Sequence, residues 1–338
     1  MKASRFMGNM TFEVADLPMP KAGPGELVVH NKVCGVCGTD VHIYHGEPGS
    51  ADVNPPVVLG HEYSGEVMEV GQGVTGFAVG TTLPSTQHLL RPLPVLPERQ
   101  KAALRDHGAI GVTRDGGFAE YSLIPASQAF KLDPSVPFEA AAMAEPLACC
   151  LHGIDLAGIQ AGDKVCVVGG GAIGLIMVQL AKLSGASKIV VSEPNEKRCQ
   201  VALEVGAGAA IDPTSPAMRS FHPGHGWFRR CGHRVRGQHP RGEERLPVRG
   251  QGGHHPVVQR AQGGRHLRAA PLRRVQEGAD HQGSFVNPDT HDRAVRLINS
   301  GKVDFSSIIT HRFTLDQLPE AIAMQMSSES IKVVVEAK

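Results

Sequence analysis

Aromatic residues make up only 4% of this 338-residue chain, which has a single tryptophan. From Arg198 to Ser300 there is no lysine, although arginine is dense, and no aromatic ring follows Phe228 until Phe285. Single-stranded nucleic acid is bound by stacking on aromatic faces as well as by charge. The Arg-Gly pairs at 236–237, 241–242 and 249–250 are therefore poorly supported as a binding arm, and no nucleic-acid partner is expected. Net charge is +1, so no overall field pulls the chain towards polyanions or a membrane surface. The opening MKASRFMGNMTFEV lacks the apolar core of an export signal, and the expected location is cytoplasmic. One long apolar run, Val165 to Leu183, is interrupted by glycines and reads as strand then helix, so no membrane span is expected. Seven cysteines at irregular spacing favour reduced thiols or metal ligands over a disulfide framework. Cys34 and Cys37 have no second C-x-x-C pair to complete a zinc knuckle.

The length suits two domains. Residues 26–33 (ELVVHNKV) and 61–70 (HEYSGEVMEV) alternate like strands, with glycine turns such as Gly71-Gln72-Gly73 between strands. From Ala161 the texture changes. KVCVV is a short apolar strand, LIMVQLAKL an apolar helix, KIVVSE a second strand, and KRCQVALEVGAG a helix closed by glycine. This rhythm predicts an α/β fold with a doubly wound parallel sheet. DRAVRLINSG reads as a late helix and IKVVVE as a final strand.

Between the first of those strands and its helix lies Gly169-Gly170-Gly171-Ala172-Ile173-Gly174, a match to G-x-G-x-x-G. Gly169 permits the tight turn, Gly171 lets backbone approach a pyrophosphate, and Gly174 lets helix pack on strand. The helix N-terminus, at Ala172 and Ile173, supplies N–H groups and a positive dipole end for phosphates. Glu193 ends the next strand, where a carboxylate accepts hydrogen bonds from ribose hydroxyls and repels a 2′-phosphate. That combination predicts NAD as cofactor; Arg198 either faces the adenine side or is an ordinary exposed helix arginine.

Upstream, CGVCGTDVHIYHG (34–46) and GHE (60–62) bring Cys37, His61 and Glu62 into the same region. Sulfur, nitrogen and oxygen donors of this kind hold zinc in catalytic sites that keep one position open.

With DGGFAEY, AEPLACCLHG, VVGGGAIG and GSFVNPDTHDRAVRLI, these motifs resemble the zinc-dependent medium-chain alcohol dehydrogenases, in the branch of sorbitol (polyol) and threonine dehydrogenases. The resemblance covers roughly three quarters of the chain, its motifs standing in family order. It implies a GroES-like β-rich catalytic domain over 1–147, completed by 300–338, and a Rossmann domain over 148–299. It implies Cys37, His61 and Glu62 as ligands of one catalytic Zn²⁺. Glu145 resembles the acid that binds this metal directly or through its water. Thr39 and His42 resemble the relay that carries the substrate proton away. The implied reaction transfers hydride from a secondary alcohol, a polyol such as sorbitol or L-threonine, to NAD. The implied partners are a small-molecule alcohol and further copies of the chain, a homotetramer by family habit. The alternative is a catalytically inactive relative, or a basic binding protein on the same scaffold.

Two segments, 81–107 and 221–282, fit neither strand nor helix period. The family usually carries a structural-zinc lobe at the first, with cysteines spaced C-x2-C-x2-C-x7-C. Here Leu90, Leu93, Leu96 and Leu104 hold that spacing, each followed by Arg or Pro. A leucine codon ending TG before a codon starting with C reads TGC, cysteine, one nucleotide late. Likewise CGHRVRG (231–237) can become VVIECAG, and PLRRVQEGADHQG (271–283) can become PYDVFKKELTIKG. Both segments read as frame-shifted family sequence, the structural zinc site being lost from the chain as it stands. Residues 221–282 are therefore expected to lack the apolar strands that finish a parallel sheet.

Overall fold

The computed structural model describes residues 1–47, 51–84, 108–215, 229–232, 257–260, 281–284 and 286–337. The chain forms two compact units, one from Met1–Pro146 with His291–Lys338 and one from Leu147–Thr290.

The first unit is built on antiparallel pairing. Strands β1 (Lys2–Gly8) and β2 (Thr11–Asp16) form a hairpin whose other edge takes β4 (Val57–Val58). A second sheet runs β14 (Ile309–Thr314), β15 (Lys332–Glu336), β3 (Glu26–Gly35), β5 (Glu62–Val70) and β6 (Thr82–Pro84), and β7 (Tyr121–Pro125) also pairs with β3. The alternating patterns at 26–33 and 61–70 thus become the paired strands β3 and β5. Between them lies the short helix α1 (Gly38–Tyr44). Val29, Leu59, Tyr63, Phe118, Ile124, Val333 and Val335 are buried in one core. Each side chain of this size contributes about 1.5–3 kcal/mol when fully buried.

Helices α2 (Phe138–Ala142), α6 (His291–Asn299) and α7 (Leu318–Met326) complete this unit, while α3 (Ala144–Ala157) begins in it and runs on into the second. The sequence reading starts the returning segment at 300; in the structure it starts at His291. The reason is local. The His291 ring lies 5.1 Å from that of Phe130, and Asn299 Oδ1 accepts the Asp133 amide at 3.0 Å, so both ends of α6 are tied to this unit.

The second unit carries a parallel sheet. It is built from β8 (Lys164–Val168), α4 (Ala172–Leu183), β9 (Lys188–Ser192), α5 (Glu196–Glu204) and β10 (Ala209–Ile211), followed by β11 (Arg229–Gly232), β12 (Val257–Arg260) and β13 (His281–Ser284). The sheet order is β10-β9-β8-β11-β12-β13, every pair parallel. Strands therefore run outwards from β8 in both directions, the doubly wound order with its switch point between β8 and β11. The apolar run at 165–183 is explained by burial: Val165 and Val167 in β8 and Leu175 to Ala181 in α4 are all buried. No helix among the described residues is long and apolar enough to cross a membrane.

One expectation is corrected. Residues 221–282 are expected to leave the sheet half built, yet β11, β12 and the start of β13 lie within them and continue the ladder. A sheet ladder is made by backbone N–H and C=O groups, so short segments pair without an apolar sequence pattern. The remainder of that segment, and the leucine-spaced stretch 88–107, lie outside the described residues.

Candidate active site

The pairing of β3 with β5 assembles the first constellation. Its register sets Gly35 opposite Glu62 and Cys34 opposite Tyr63, so the chain leaving β3 arrives beside the start of β5. Two residues beyond β3, Cys37 caps α1. Asp40, in the first turn of that helix, accepts the Cys37 amide through Oδ2 at 2.8 Å. Gly60 precedes His61 with φ +94°, a conformation that L side chains rarely adopt. A Cβ at Gly60 would sit 2.7 Å from Cys34 Sγ and 3.0 Å from the Phe118 ring, so glycine alone permits this close turn.

Ligand atoms of Cys37, His61 and Glu62 lie within 4.8 Å of one another, and all three residues are buried. Cys37 hydrogen-bonds both His61 and Glu62. Burial opposes a charge on the His61 imidazole, but the Cys37 sulfur and the Asp40 carboxylate outweigh it and raise its pKa to about 10. Asp40 Oδ1 faces His61 Nδ1 at 3.6 Å. Burial is also the main reason the Asp40 carboxyl is raised to about 6, with His61 and the Cys37 amide opposing it. Burial pushes the Glu62 carboxyl upwards, yet Lys332 and His61 overcome that and leave it below its ordinary value. Thiolate, imidazole and carboxylate held this close are the donor set of a catalytic zinc site, and the residues present fit that metal.

The other residues singled out by sequence fall around this trio to different degrees. Glu145, the second residue of α3, is 5% exposed and close enough to His61 to help raise its pKa. Thr39 is buried in the first turn of α1. His42, about one turn on, is half-buried, with Nδ1 2.6 Å from Glu47 Oε2. Two residues escaped the sequence reading. Asp40 sits three residues after the N-cap Cys37, a capping-box spacing that was there to be read. Lys332 stands buried at the head of the apolar strand KVVVE, where a lone charge in a core strand was the available sign.

The second constellation lies wholly in the other unit. Gly169 turns at φ +98°, and Gly171 caps α4 in an extended conformation, φ −73° and ψ −178°. A Cβ at Gly174 would lie 1.9 Å from the Gly169 carbonyl oxygen, so helix and turn touch only because position 174 has none. At Gly171 the same test meets nothing within 4 Å among the described residues, so packing against them does not demand glycine there. Ala172 and Ile173 open α4 at its N-terminal end. Glu193 is buried, its Oε2 accepting the Gly170 amide at 2.6 Å and its Oε1 the Asn195 amide at 2.9 Å. The strand end and the glycine turn are thus locked together. The Arg198 amide donates to Asn195 Oδ1 at 3.1 Å, and the Arg198 Cβ would stand 3.3 Å from one built on Gly170, beside the turn.

Residues 23–134 match the alcohol dehydrogenase GroES-like domain, and residues 172–224 match the zinc-binding dehydrogenase domain. An L-threonine 3-dehydrogenase of Bacillus licheniformis is 32% identical over 331 residues, covering 94% of this chain and 93% of its own. Among solved structures, a zinc-binding dehydrogenase of Sinorhizobium meliloti bound to NADP superposes with TM-score 0.83 at 33% identity, covering 99% of this chain and 98% of that one. The 2R,3R-butanediol dehydrogenase of Bacillus subtilis gives TM-score 0.80 at 27% identity, over 100% and 99% of the two chains. By these matches the chain belongs to the zinc-dependent medium-chain alcohol dehydrogenases, nicotinamide-linked oxidoreductases, in the branch that holds threonine and polyol dehydrogenases.

Proposed function

We propose that this protein oxidises the secondary hydroxyl of L-threonine, or of a vicinal polyol, with NAD. The observation that carries the reading is the buried convergence of Cys37, His61 and Glu62 in a chain that aligns along nearly its whole length with an L-threonine 3-dehydrogenase. When bound, zinc supplies the Lewis acidity that lowers the pKa of a substrate hydroxyl, and the nicotinamide supplies the hydride acceptor.

The chain's own residues do the remaining work. Cys37, His61 and Glu62 would hold the metal, with Glu145 as the further acid next to them. Asp40 anchors the Cys37 backbone and faces the His61 ring, which orients two of the three donors at once. The Thr39 hydroxyl accepts the substrate proton and passes its own to His42, and Glu47 gives that proton an outlet to water. In the other unit Gly171 and the first residues of α4, Ala172 and Ile173, receive the pyrophosphate. Glu193 accepts the ribose hydroxyls and disfavours a 2′-phosphate, and Arg198 lies towards the adenine.

The substrate is a small molecule; a homotetramer in the cytoplasm, without nucleic acid, completes the reading, and sedimentation velocity tests the assembly. The test of function is formation of reduced nicotinamide by the zinc-loaded protein, with L-threonine, sorbitol and butane-2,3-diol compared under NAD and under NADP. L-Threonine with NAD is expected to give the highest kcat/KM; a higher value for either polyol reassigns the substrate, and a higher value with NADP reassigns the cofactor.

A further inference from the structure

One buried cation touches the proposed metal site from outside its donor set. Lys332 heads β15 and is 4% exposed. Its Nζ donates to the Val36 carbonyl at 2.9 Å and to Glu62 Oε2. The sheet register makes this contact: β15 runs antiparallel to β3 with Val334 opposite Gly35, and Val36 donates its amide to the Val333 carbonyl. Lys332 therefore emerges just past the end of β3, over the first residue of β5. Room for the pair comes from Gly35, where a Cβ would lie 2.6 Å from Glu62 Oε2 and 2.9 Å from Lys332 Cε.

An ammonium this deeply buried costs several kcal/mol unless it is paired, so it is a poor way to fill space. Its surroundings are anionic: Glu62, Cys37 and Asp40 all favour its charge, against the burial that opposes it. A carboxylate has two oxygens, and here one is held by an ammonium. A catalytic zinc with three protein donors keeps its fourth position only if no donor takes two.

We propose that Lys332 is a positioning residue for the metal: by holding Oε2, it restricts Glu62 to a one-oxygen grip and so keeps a coordination position open for the substrate. This rests on the zinc reading of Cys37, His61 and Glu62 given above. Removing the ammonium while keeping the stem's length frees the second oxygen and takes a positive charge away from the metal. Both effects tighten metal binding while closing the open position. A purely structural ion pair would tighten metal binding through its charge alone and leave the coordination position open.

The experiment compares the unmodified protein with Lys332→Met and Lys332→Arg. Zinc affinity is measured by competition with a chromophoric chelator, and the visible spectrum is recorded after cobalt(II) replaces zinc. Lys332→Met is expected to bind zinc about 10–100-fold more tightly: the size of effect that partners of metal ligands have, with the usual direction reversed because the partner removed is a cation. Its cobalt bands should weaken as the coordination number rises, and kcat should fall more than KM changes. Lys332→Arg, which keeps the charge, should retain the unmodified spectrum. Unchanged or weaker zinc binding and an unchanged cobalt spectrum in a folded Lys332→Met protein would overturn the proposal. A structure of the unmodified protein with zinc decides the same question should Lys332→Met not fold. Nζ is expected to stay on Oε2 with the other Glu62 oxygen on the metal; both oxygens on zinc, or neither, refutes it. Failure of the unmodified protein to take up zinc at Cys37 and His61 would refute the underlying reading instead.

Discussion

Gly171 and Gly174 stand three residues apart in one turn, and the structure gives them opposite reasons for being glycine. At Gly174 an added methyl carbon would lie 1.9 Å from the Gly169 carbonyl oxygen, far inside contact distance, so the turn must move. Overpacking of that kind costs about 1–3 kcal/mol, and Gly174→Ala should lower thermal stability accordingly. At Gly171 the methyl carbon meets nothing within 4 Å among the described residues, and the backbone there is extended with negative φ. Gly171→Ala should therefore leave stability unchanged or raise it by about 0.4–1 kcal/mol through the unfolded chain. Dinucleotide binding should weaken all the same, because the methyl occupies the path by which backbone approaches the pyrophosphate. A clash of about 1–3 kcal/mol felt only in the complex corresponds to roughly 5–150-fold in Kd. Fluorescence titration with NADH and a thermal melt on the same samples read both quantities. A Gly171→Ala protein that binds NADH as tightly as the unmodified one would show that no phosphate approaches Gly171.

Cys37→Ser should abolish turnover and zinc retention while leaving NADH affinity within about twofold, because the two constellations share no residue; parallel loss of NADH binding contradicts separate sites. Glu193→Ala should narrow the preference for NAD over NADP by removing two acceptor oxygens and the repulsion of a 2′-phosphate, as the two Kd values would report. Zinc uptake should release at least one proton. His61 is raised to about 10, so the metal-free site holds that proton at neutral pH and must give it up. Zinc affinity should therefore climb about tenfold per pH unit between 6 and 8 for each proton displaced; a flat profile refutes the protonated site. The same shift has a stability counterpart with the opposite slope. The contribution of protonated His61 to the metal-free fold is complete below its ordinary pKa of 6.5 and lost as pH rises through about 10. The chain carries no cysteine between 38 and 148, so metal analysis should find at most one tightly held zinc per chain. Sequencing the gene should reveal compensating single-nucleotide errors near 80 and 108 and again near 220 and 283; an unbroken frame would refute the frame-shifted reading of those segments.

How much of this was legible in the sequence depended on whether a local pattern carried it. The βαβ rhythm from Lys164 to Glu204 is written in periodicity and glycine position, and it fixed strands, helices and turn to within a few residues. The convergence of Cys37, His61 and Glu62 was legible as a motif, since Cys37 and the His61-Glu62 pair flank strands whose pairing follows from their alternation. Asp40 and Lys332 were not read. Asp40 looks like an ordinary helix cap until His61 is brought opposite it, and Lys332 lies 270 residues from Glu62. No local period encodes a contact of that separation; it comes from the parallel and antiparallel register of β14, β15 and β3. The strands β11 and β12 were missed for the opposite reason. Their backbone pairs in the sheet although the arginine-rich sequence around them carries no strand pattern.

Metal-dependent hydride transfer is the central claim, and one titration tests it. Metal-free protein, confirmed folded, is mixed with NAD and L-threonine, and zinc is added stepwise while absorbance of the reduced nicotinamide is followed. The rate should rise in proportion to zinc and break at one equivalent per chain. It should vanish with excess chelator and be absent throughout in Cys37→Ser. Folded protein that binds one zinc and NADH yet reduces no NAD with L-threonine, sorbitol or butane-2,3-diol would contradict the claim, leaving an inactive member of the family.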